Sequence, residues 1–532
     1  MGVIIFFLIS YILLSISLFF LFPKAGEEGW KGLVPGLNFI TWCKIIGKEK
    51  VQALWLLFPI VNIFTLAGMC VDMARSFNKF SFADAAMSVI YAPAYFFKLA
   101  FSNDEYVGPA ITLEKEHYAA IEAAEEAGKT REVKKLQANS PYKKGPMREW
   151  AEAIIFAVFA AAFIRMFLIE AYVIPTGSME GSLLVGDYLF VSKAHYGIRT
   201  PQTVAMFPLL HNRLPFNAGE SYIEGPSLPY FRLPAIESID RNDPIVFNYP
   251  EGDSVYIFPD RTYSIYDYRR GSFKADARKF QAVKSGKAEL VTRPMDKMDH
   301  YVKRNIALPG DTLEIRNQQV FINGKAVENP EKIQFSYQIT VPNGINSLNR
   351  DFLEDLDIDV MGSGGNTIIA ALHKAQIDAL KATGNGIVIE DFPIAERSPI
   401  DAFPHDPKIS GNWTRDNYGP IWIPKKGETV QISPENIALY RRVIDVYEGN
   451  DLSEHNGKIY INGKEATEYT FKLDYYWGMG DNRHNSEDSR VWGYVPETHI
   501  VGKPWFIWFS TRDGNMGNGI NWSRIFSGAT KM

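Results

Sequence analysis

Val173-Ile-Pro-Thr-Gly-Ser-Met-Glu-Gly-Ser-Leu-Leu-Val-Gly-Asp-Tyr-Leu-Phe-Val-Ser-Lys193 is where the chain changes character. Residues 151–169, just before it, read Ala-Glu-Ala-Ile-Ile-Phe-Ala-Val-Phe-Ala-Ala-Ala-Phe-Ile-Arg-Met-Phe-Leu-Ile, with only Glu152 and Arg165 charged. That length approaches the ~20 apolar helical residues a bilayer core requires. Beyond it the chain runs in short segments rich in Val, Ile, Tyr and Phe, cut by Gly, Pro and Asn, a pattern that predicts an all-β domain. The turn Pro175-Thr176-Gly177-Ser178 joins the two regimes. Pro175 cannot continue a central strand and Gly177 admits unusual backbone angles, so Ser178 is expected to project from a tight corner beside the end of a membrane helix. Serine in a turn is ordinarily only a turn residue. Chemistry there needs partners elsewhere in the chain.

Composition narrows the classes. At 532 residues the chain exceeds one ordinary domain, which predicts a membrane region plus soluble structure. A net charge of −5 offers no electrostatic argument for a nucleic-acid partner. Cys43 and Cys70 are the only cysteines and lie in the apolar N-terminal third, so the soluble part has neither a disulfide nor a thiolate metal site. The nine histidines show no ligand spacing, and neither a metal nor another cofactor is expected.

Four segments are candidate spans: residues 3–22, 51–72 with Pro59, 83–101 with Pro93 and Lys98, and 151–169. The first lacks a basic leader and a small-residue cleavage site, and is expected to be retained. Basic residues crowd the loops 23–50 and 101–150, including Lys24, Lys31, Lys44, Lys48, Lys129, Lys134, Lys135 and Lys144. Positive loops stay in the cytoplasm, and two spans between these loops put both on that side. The predicted organisation is a three-span membrane region at 1–101, a cytoplasmic charged linker at 102–149, a fourth transmembrane helix at 150–171 and an extracytoplasmic β domain at 172–532. Insertions are expected near 196–239, 253–298 and 343–420. The alternative for 83–101 is a helix lying in the interface. Residues 114–137 have a helix-forming, solvated composition.

In the β region the clearest strands are 187–193, 244–249, 299–306 and 312–322, and residues 367–383 look helical. Gly310-Asp-Thr-Leu-Glu-Ile315 with Val320-Phe-Ile-Asn-Gly-Lys325 recurs as Gly427-Glu-Thr-Val-Gln-Ile432 with Ile459-Tyr-Ile-Asn-Gly-Lys464. Asn-Gly favours two-residue hairpin turns, so this reads as a repeated hairpin or as convergent turn chemistry.

Two segments supply what Ser178 needs. In Tyr301-Val-Lys-Arg-Asn-Ile-Ala-Leu-Pro-Gly-Asp311, Lys303 alternates against Val302 and Arg304 within a strand. A lysine on the apolar face is costly unless it is paired or loses its charge, and the neutral amine is a base. The segment Gly478-Met-Gly-Asp-Asn-Arg-His-Asn-Ser-Glu-Asp-Ser-Arg-Val-Trp-Gly493 packs Asp481, Arg483, Asp488 and Arg490 around Ser486.

Pro-Thr-Gly-Ser-Met at 175–179, the 186–193 stretch, the 301–311 stretch and Gly-Asp-Asn-Arg-His-Asn-Ser-Glu-Asp-Ser-Arg at 480–490 occur in the order found in type I signal peptidases, the bacterial leader peptidases, which the chain resembles. Arg241-Asn-Asp-Pro-Ile-Val-Phe-Asn-Tyr-Pro250 also resembles a strand of that family. The resemblance implies N-terminal transmembrane helices followed by a mostly-β, signal-peptidase-like catalytic domain in the cell membrane. It implies a serine endopeptidase that removes signal peptides from exported precursor proteins, cuts after small residues, needs no cofactor and touches membrane lipid. By position, Ser178 would be the nucleophile and Lys303 the general base. The Ser178 N–H and the Thr176 hydroxyl would form the oxyanion hole. Ser486 would hold the lysine amine, Asp488 and Arg490 would form a structural ion pair, and Asp481 and Arg483 would brace the same loop. Tyr172, Ile174, Tyr301 and Val302 would line shallow apolar pockets. The chain departs from the family pattern in two places: His484 stands where many members have aspartate, and Gly181-Ser182 replaces the usual proline-threonine.

A Ser–His–Asp hydrolase with His405 or His484 as base is the rival enzyme, but no Gly-x-Ser-x-Gly elbow surrounds Ser178. The non-enzyme rival is a catalytically silent membrane-anchored β scaffold that binds exported chains; the joint presence of Ser178, Lys303 and Ser486 argues against it. The resemblance is silent on the extra N-terminal spans, the insertions and the oligomeric state.

Overall fold

A computed structural model describes residues 2–57, 61–143, 146–207, 209–210, 212, 214, 220–258, 261–271, 276–342, 350–356, 358, 360–383, 386–392 and 402–529. Pro59 and Lys144 lie outside the described residues. The chain forms two units, Met1–Ile164 with Thr203–Leu228, and Arg165–Gln202 with Pro229–Met532.

The first unit is helical: α1 Gly2–Leu21, α2 Leu37–Ile46, α3 Val61–Arg75, α4 Phe82–Ile90, α5 Ala92–Phe101, α6 Ala110–Glu126, α7 Thr130–Ala138 and α8 Pro146–Phe167. Leu18 and Phe22 pack with Trp42, Ile46, Met69, Met73 and Phe96 in a core without solvent exposure. Among the described residues two helices are long and apolar enough to cross a membrane, Ile5–Ala25 and Glu149–Phe167. The second and third expected spans are not single helices. Residues 50–57 form a 3₁₀ segment, Lys50–Leu57, ahead of the 15-residue α3. The 83–101 segment breaks at Tyr91 (φ −149°, ψ 80°). Pro93 lacks the N–H for a bond to the Val89 carbonyl, and its ring would clash there, so one helix ends and another begins. The solvated 114–137 segment is also two helices, divided at Gly128 (φ +68°).

The second unit is built on a seven-stranded antiparallel sheet. Its strands are β1 Ile169–Val173, β2 Asp187–Ser192, β3 Pro244–Asn248, β4 His300–Ala307, β5 Tyr475–Met479, β6 Val495–Pro496 and β7 Ile500–Ser510. They lie in the order β1-β2-β7-β3-β4-β5-β6. β2 and β4 are thus three strands apart, roughly 14 Å across a flat sheet. Register breaks between Tyr188 and Leu189, Phe190 and Val191, and Ile500 and Gly502 curl the sheet at these strands. Gly502 permits a close approach of β7 to β2, since a Cβ there would lie 2.3 Å from the Ser192 carbonyl. One apolar cluster, Ile174, Met179, Leu183, Leu189, Val191, Val246, Val501 and Ile507, packs the β1–β2 corner against the sheet.

The insertions are structured. Residues 203–206 and 222–227 pair as Thr203–Met206 with Tyr222–Ser227 within the first unit, which divides the expected 196–239 insertion between the two units. The 253–298 insertion carries a three-stranded sheet and two helices, Ile265–Arg270 and Ala277–Lys284. In the 343–420 region, residues 343–349 and 393–401 lie outside the described residues. The described part joins Phe335–Thr340 in a four-stranded sheet, backed by a helix Lys374–Ala382 around Ile339, Ile368, Leu372 and Leu380. The helical reading of 367–383 is therefore half right, because Thr367–Leu372 is a strand with neighbours on both sides. A short apolar run buried in this way loses the alternation that separates strand from helix.

The repeated hairpin is realised once. Thr312–Arg316 pairs with Gln319–Ile322, whereas Thr429–Gln431 pairs with Glu468–Thr470 and leaves Lys458–Ile461 to a separate sheet. Both Asn-Gly turns do form, with positive φ at Asn323, Gly324, Asn462 and Gly463.

Because the inserted sheet has its own core, Ile339→Ala is expected to lower its stability by about 2–5 kcal/mol. Amide exchange should show lost protection at 335–391 with that of β4 retained; equal loss in both would show that they unfold together.

Candidate active site

The loop from β1 to β2 is closed by main-chain bonds from the Ile174 N–H to the Asp187 carbonyl (2.9 Å) and from the Gly186 N–H to the Ile174 carbonyl (3.0 Å). Asp187, fully buried, accepts from the Leu184 N–H, the Ser510 hydroxyl and the Arg524 guanidinium. Within this loop Gly177–Met179 makes one 3₁₀ turn, pinned by the buried Met179. The Glu180 carboxylate folds back over Gly177, with Oε2 2.4 Å from where a Cβ would stand. Ser178 is half-buried at the tip and Thr176 is exposed.

Lys303 is 2% exposed, and its Nζ donates to Ser178 Oγ at 2.6 Å. Burial pulls its pKa down to about 8, against the opposing pull of Asp488, Glu487 and Asp481. Its Nζ lies 5.7 Å from the centre of the Tyr301 ring. Strand alternation does not leave a wet side here, because Arg304 is buried as well. Two glycines that spacing alone did not single out let the 478–490 loop close on this pair. A Cβ at Gly478 would lie 3.0 Å from Lys303 Cβ, and one at Gly480 would lie 2.4 Å from the Ser178 carbonyl. That carbonyl accepts from the Asn482 N–H at 3.2 Å.

The supporting charges are partnered differently from the expectation. Asp488 and Arg490 form the anticipated pair, in a two-pronged contact of 2.9 and 2.8 Å. Burial would raise the Asp488 carboxyl, but Arg490 outweighs it and holds the group well below the usual range. Asp481, however, takes two bonds from Arg304, at 2.7 and 2.6 Å, and not from Arg483. Arg304 also donates to the Ser182 hydroxyl at 2.9 Å. Arg483 is buried without a partner for its Nε and Nη2 among the described residues, and burial together with Arg490 lowers its pKa to about 10. Ser486 is buried 2.6 Å, by its Cβ, from where a Cβ at Gly480 would stand; its Oγ makes no hydrogen bond to Lys303 or any other described group.

Both departures from the family pattern meet residues 332–336, which precede the 343–420 insertion. His484 Nδ1 accepts the Ser336 N–H at 3.1 Å, so Nε2 carries the proton and donates to Asp416 at 2.9 Å. Gly181 (φ +94°) lies against the Lys332 carbonyl, 2.2 Å from where its Cβ would be. Gln334 exchanges main-chain bonds with Asp481 and Arg483. His484 thus anchors a loop, and His405 Nε2 lies 3.2 Å from Arg270; neither histidine is bonded to Ser178. Of the expected pocket residues, Ile174 is core, Tyr172 and Val302 are half-buried beside it, and Tyr301 packs on Tyr249 and Trp492. The Tyr172 hydroxyl donates to Glu170 at 2.8 Å.

The family described as signal peptidase, peptidase S26, matches residues 147–351 and 467–509, and a family of unknown function matches residues 30–109. Residues 352–466 fall outside both. The signal peptidase I of Helicobacter pylori is 22% identical over 362 residues, covering 68% of this chain and 80% of that protein. That of Haemophilus influenzae is 24% identical over 408 residues, covering 75% and 80%. That of Pseudomonas aeruginosa is 21% identical over 388 residues, covering 71% and 78%. The match runs through the β1–β2 corner, the lysine strand and the loop that closes over them, and there the chain is similar to the signal peptidases of family S26, the type I serine endopeptidases.

Proposed function

We propose that the chain removes signal peptides from exported precursors with a Ser178–Lys303 dyad, cutting after small residues. The observation that carries this reading is the dry Lys303 amine 2.6 Å from Ser178 Oγ, with no carboxylate hydrogen-bonded to it among the described residues. Neutral Lys303 Nζ takes the Ser178 proton as Oγ attacks the scissile carbonyl. The resulting oxyanion is met by the Ser178 N–H and the Thr176 hydroxyl. The ammonium then protonates the leaving amine, and the regenerated amine takes a proton from the water that cleaves the acyl-enzyme. The precursor binds as an added strand, with alternate side chains in shallow pockets at Tyr172, Ile174, Tyr301 and Val302.

For the membrane, α1 and α8 are the two spans in this reading. Both basic loops then lie between the spans, so the positive-inside rule places residues 23–145 in the cytoplasm and the β unit outside. Exposed Trp505, Trp508, Trp522 (73%) and Phe526 (78%) suit the lipid interface, where aromatic rings concentrate.

Neutral lysine is the active form, so kcat/KM should rise with pH through an ionisation near about 8 and fall as pH drops below it. Lys303→Arg is expected to be inactive because arginine keeps its proton. Ser178→Ala should lose about 10⁴-fold or more in turnover while still binding precursor. A near-normal Lys303→Arg enzyme, or an acidic limb that vanishes on replacing His405 or His484, would sink the dyad.

A precursor with phenylalanine at either the first or the third position before the cut should be processed far more slowly than one with alanine. Equal rates would remove the pocket assignment.

A reporter active only outside the cell and fused at Lys129 should be silent; activity there would overturn the sidedness.

A further inference from the structure

Three carboxylates act on Lys303: Asp488, Glu487 and Asp481. Two are fully buried, and each is held by an arginine of the sheet or the loop itself, Asp481 by Arg304 and Asp488 by Arg490. The third is different. Glu487 follows Ser486 directly, and its partner comes from the 253–298 insertion: Arg261 Nη2 donates to Glu487 Oε2 at 2.6 Å. Arg261 is held in place by its stacking over Tyr263 at 4.9 Å, and Lys279 Nζ lies over the same ring at 5.3 Å. The pair is partly open to water, with side chains 43% and 29% exposed. An exposed pair of this kind contributes little to stability. Its consequence is local, on the charge beside it.

We propose that Arg261 and Glu487 are positioning residues for the reaction: the inserted arginine cancels a carboxylate next to Ser486, so that Lys303 stays in its uncharged, proton-accepting form. The inference rests on the dyad reading above. An unpaired carboxylate near a buried amine favours the ammonium, and an unpaired arginine disfavours it. The other groups facing the amine are the Tyr301 ring, the Ser178 hydroxyl and the carboxylates of the two buried Asp–Arg pairs. Each carboxylate among them has its own cation within the sheet or loop, which leaves Glu487 as the one neutralised from the insertion.

The test is the pH profile of kcat/KM for the full-length enzyme in detergent on a precursor substrate, for wild type, Arg261→Gln, Glu487→Gln and the double variant. Arg261→Gln is expected to move the acidic limb up by about half to one pH unit, so that activity near pH 7 falls about three- to tenfold and recovers in alkali. Glu487→Gln should move the limb down, and the double variant should return it to the wild-type position. High salt should shrink both displacements. A loss in Arg261→Gln that is equal at every pH, an unmoved limb in Glu487→Gln, or a double variant that fails to restore the limb would each overturn the proposal. Lys303→Arg measured alongside separates the two ideas. If it is inactive while the limb stays put, only the positioning role fails; if it is active, the dyad itself fails.

Discussion

A lysine amine can accept a proton at neutral pH only if it is dry, free of a carboxylate partner and within reach of the hydroxyl it serves. Lys303 meets these conditions together, at 2% exposure and 2.6 Å from Ser178 Oγ. Desolvation is the term that lowers its proton affinity, and nearby carboxylates oppose it. The surrounding architecture keeps that opposition small. Asp481 and Asp488 are spent on Arg304 and Arg490, and the glycines at 478 and 480 let the loop seal the amine from water. Buried ion pairs of this sort are weak contributors to stability. Their effect here is to hold the loop's shape while hiding negative charge from the lysine.

The segment 334–336 is part of that loop's support. Main-chain bonds from Gln334 to Asp481 and Arg483, and the bridge from Ser336 through His484 to Asp416, tie the loop to a sheet with its own core. His484 works as a neutral imidazole that accepts on one nitrogen and donates on the other, a geometry an aspartate in that place could not offer to both partners. Gly181 yields the space in which the Lys332 carbonyl sits. The two places where this chain departs from the signal peptidase pattern are thus the two places where the β1–β2 corner and the 478–490 loop meet residues 332–336.

The N-terminal region shows that an apolar stretch need not form one continuous helix. Residues 51–72 and 83–101 are apolar enough to suggest crossing helices, yet one is broken into a 3₁₀ segment and a 15-residue helix and the other ends at Tyr91. Met69 and Cys70 of the first and Tyr95, Phe96 and Leu99 of the second pack in a core with Trp42, while Leu54, Leu57, Ile63 and Ile90 are exposed. A window average registers that a segment is apolar but not whether it packs against protein or lipid, or whether a proline has ended the helix.

The primary sequence alone determined that an apolar helix gives way to short strands, the turn that carries Ser178, the strand that carries Lys303, and the Asn-Gly turns. Each of these depends on local chemistry: hydropathy, period-two patterning, or a backbone that only certain residues adopt. The pairing of Asp488 with Arg490, two residues apart in one loop, came from the family resemblance. Only the tertiary structure decided that Asp481 faces Arg304 rather than Arg483, that Gly480 lies on the Ser178 carbonyl, and that Glu487 meets Arg261 from 226 residues away. Pairings of that kind are set by how the sheet curls and where an insertion folds back, and a charge in a linear sequence carries no record of which opposite charge will come to lie beside it.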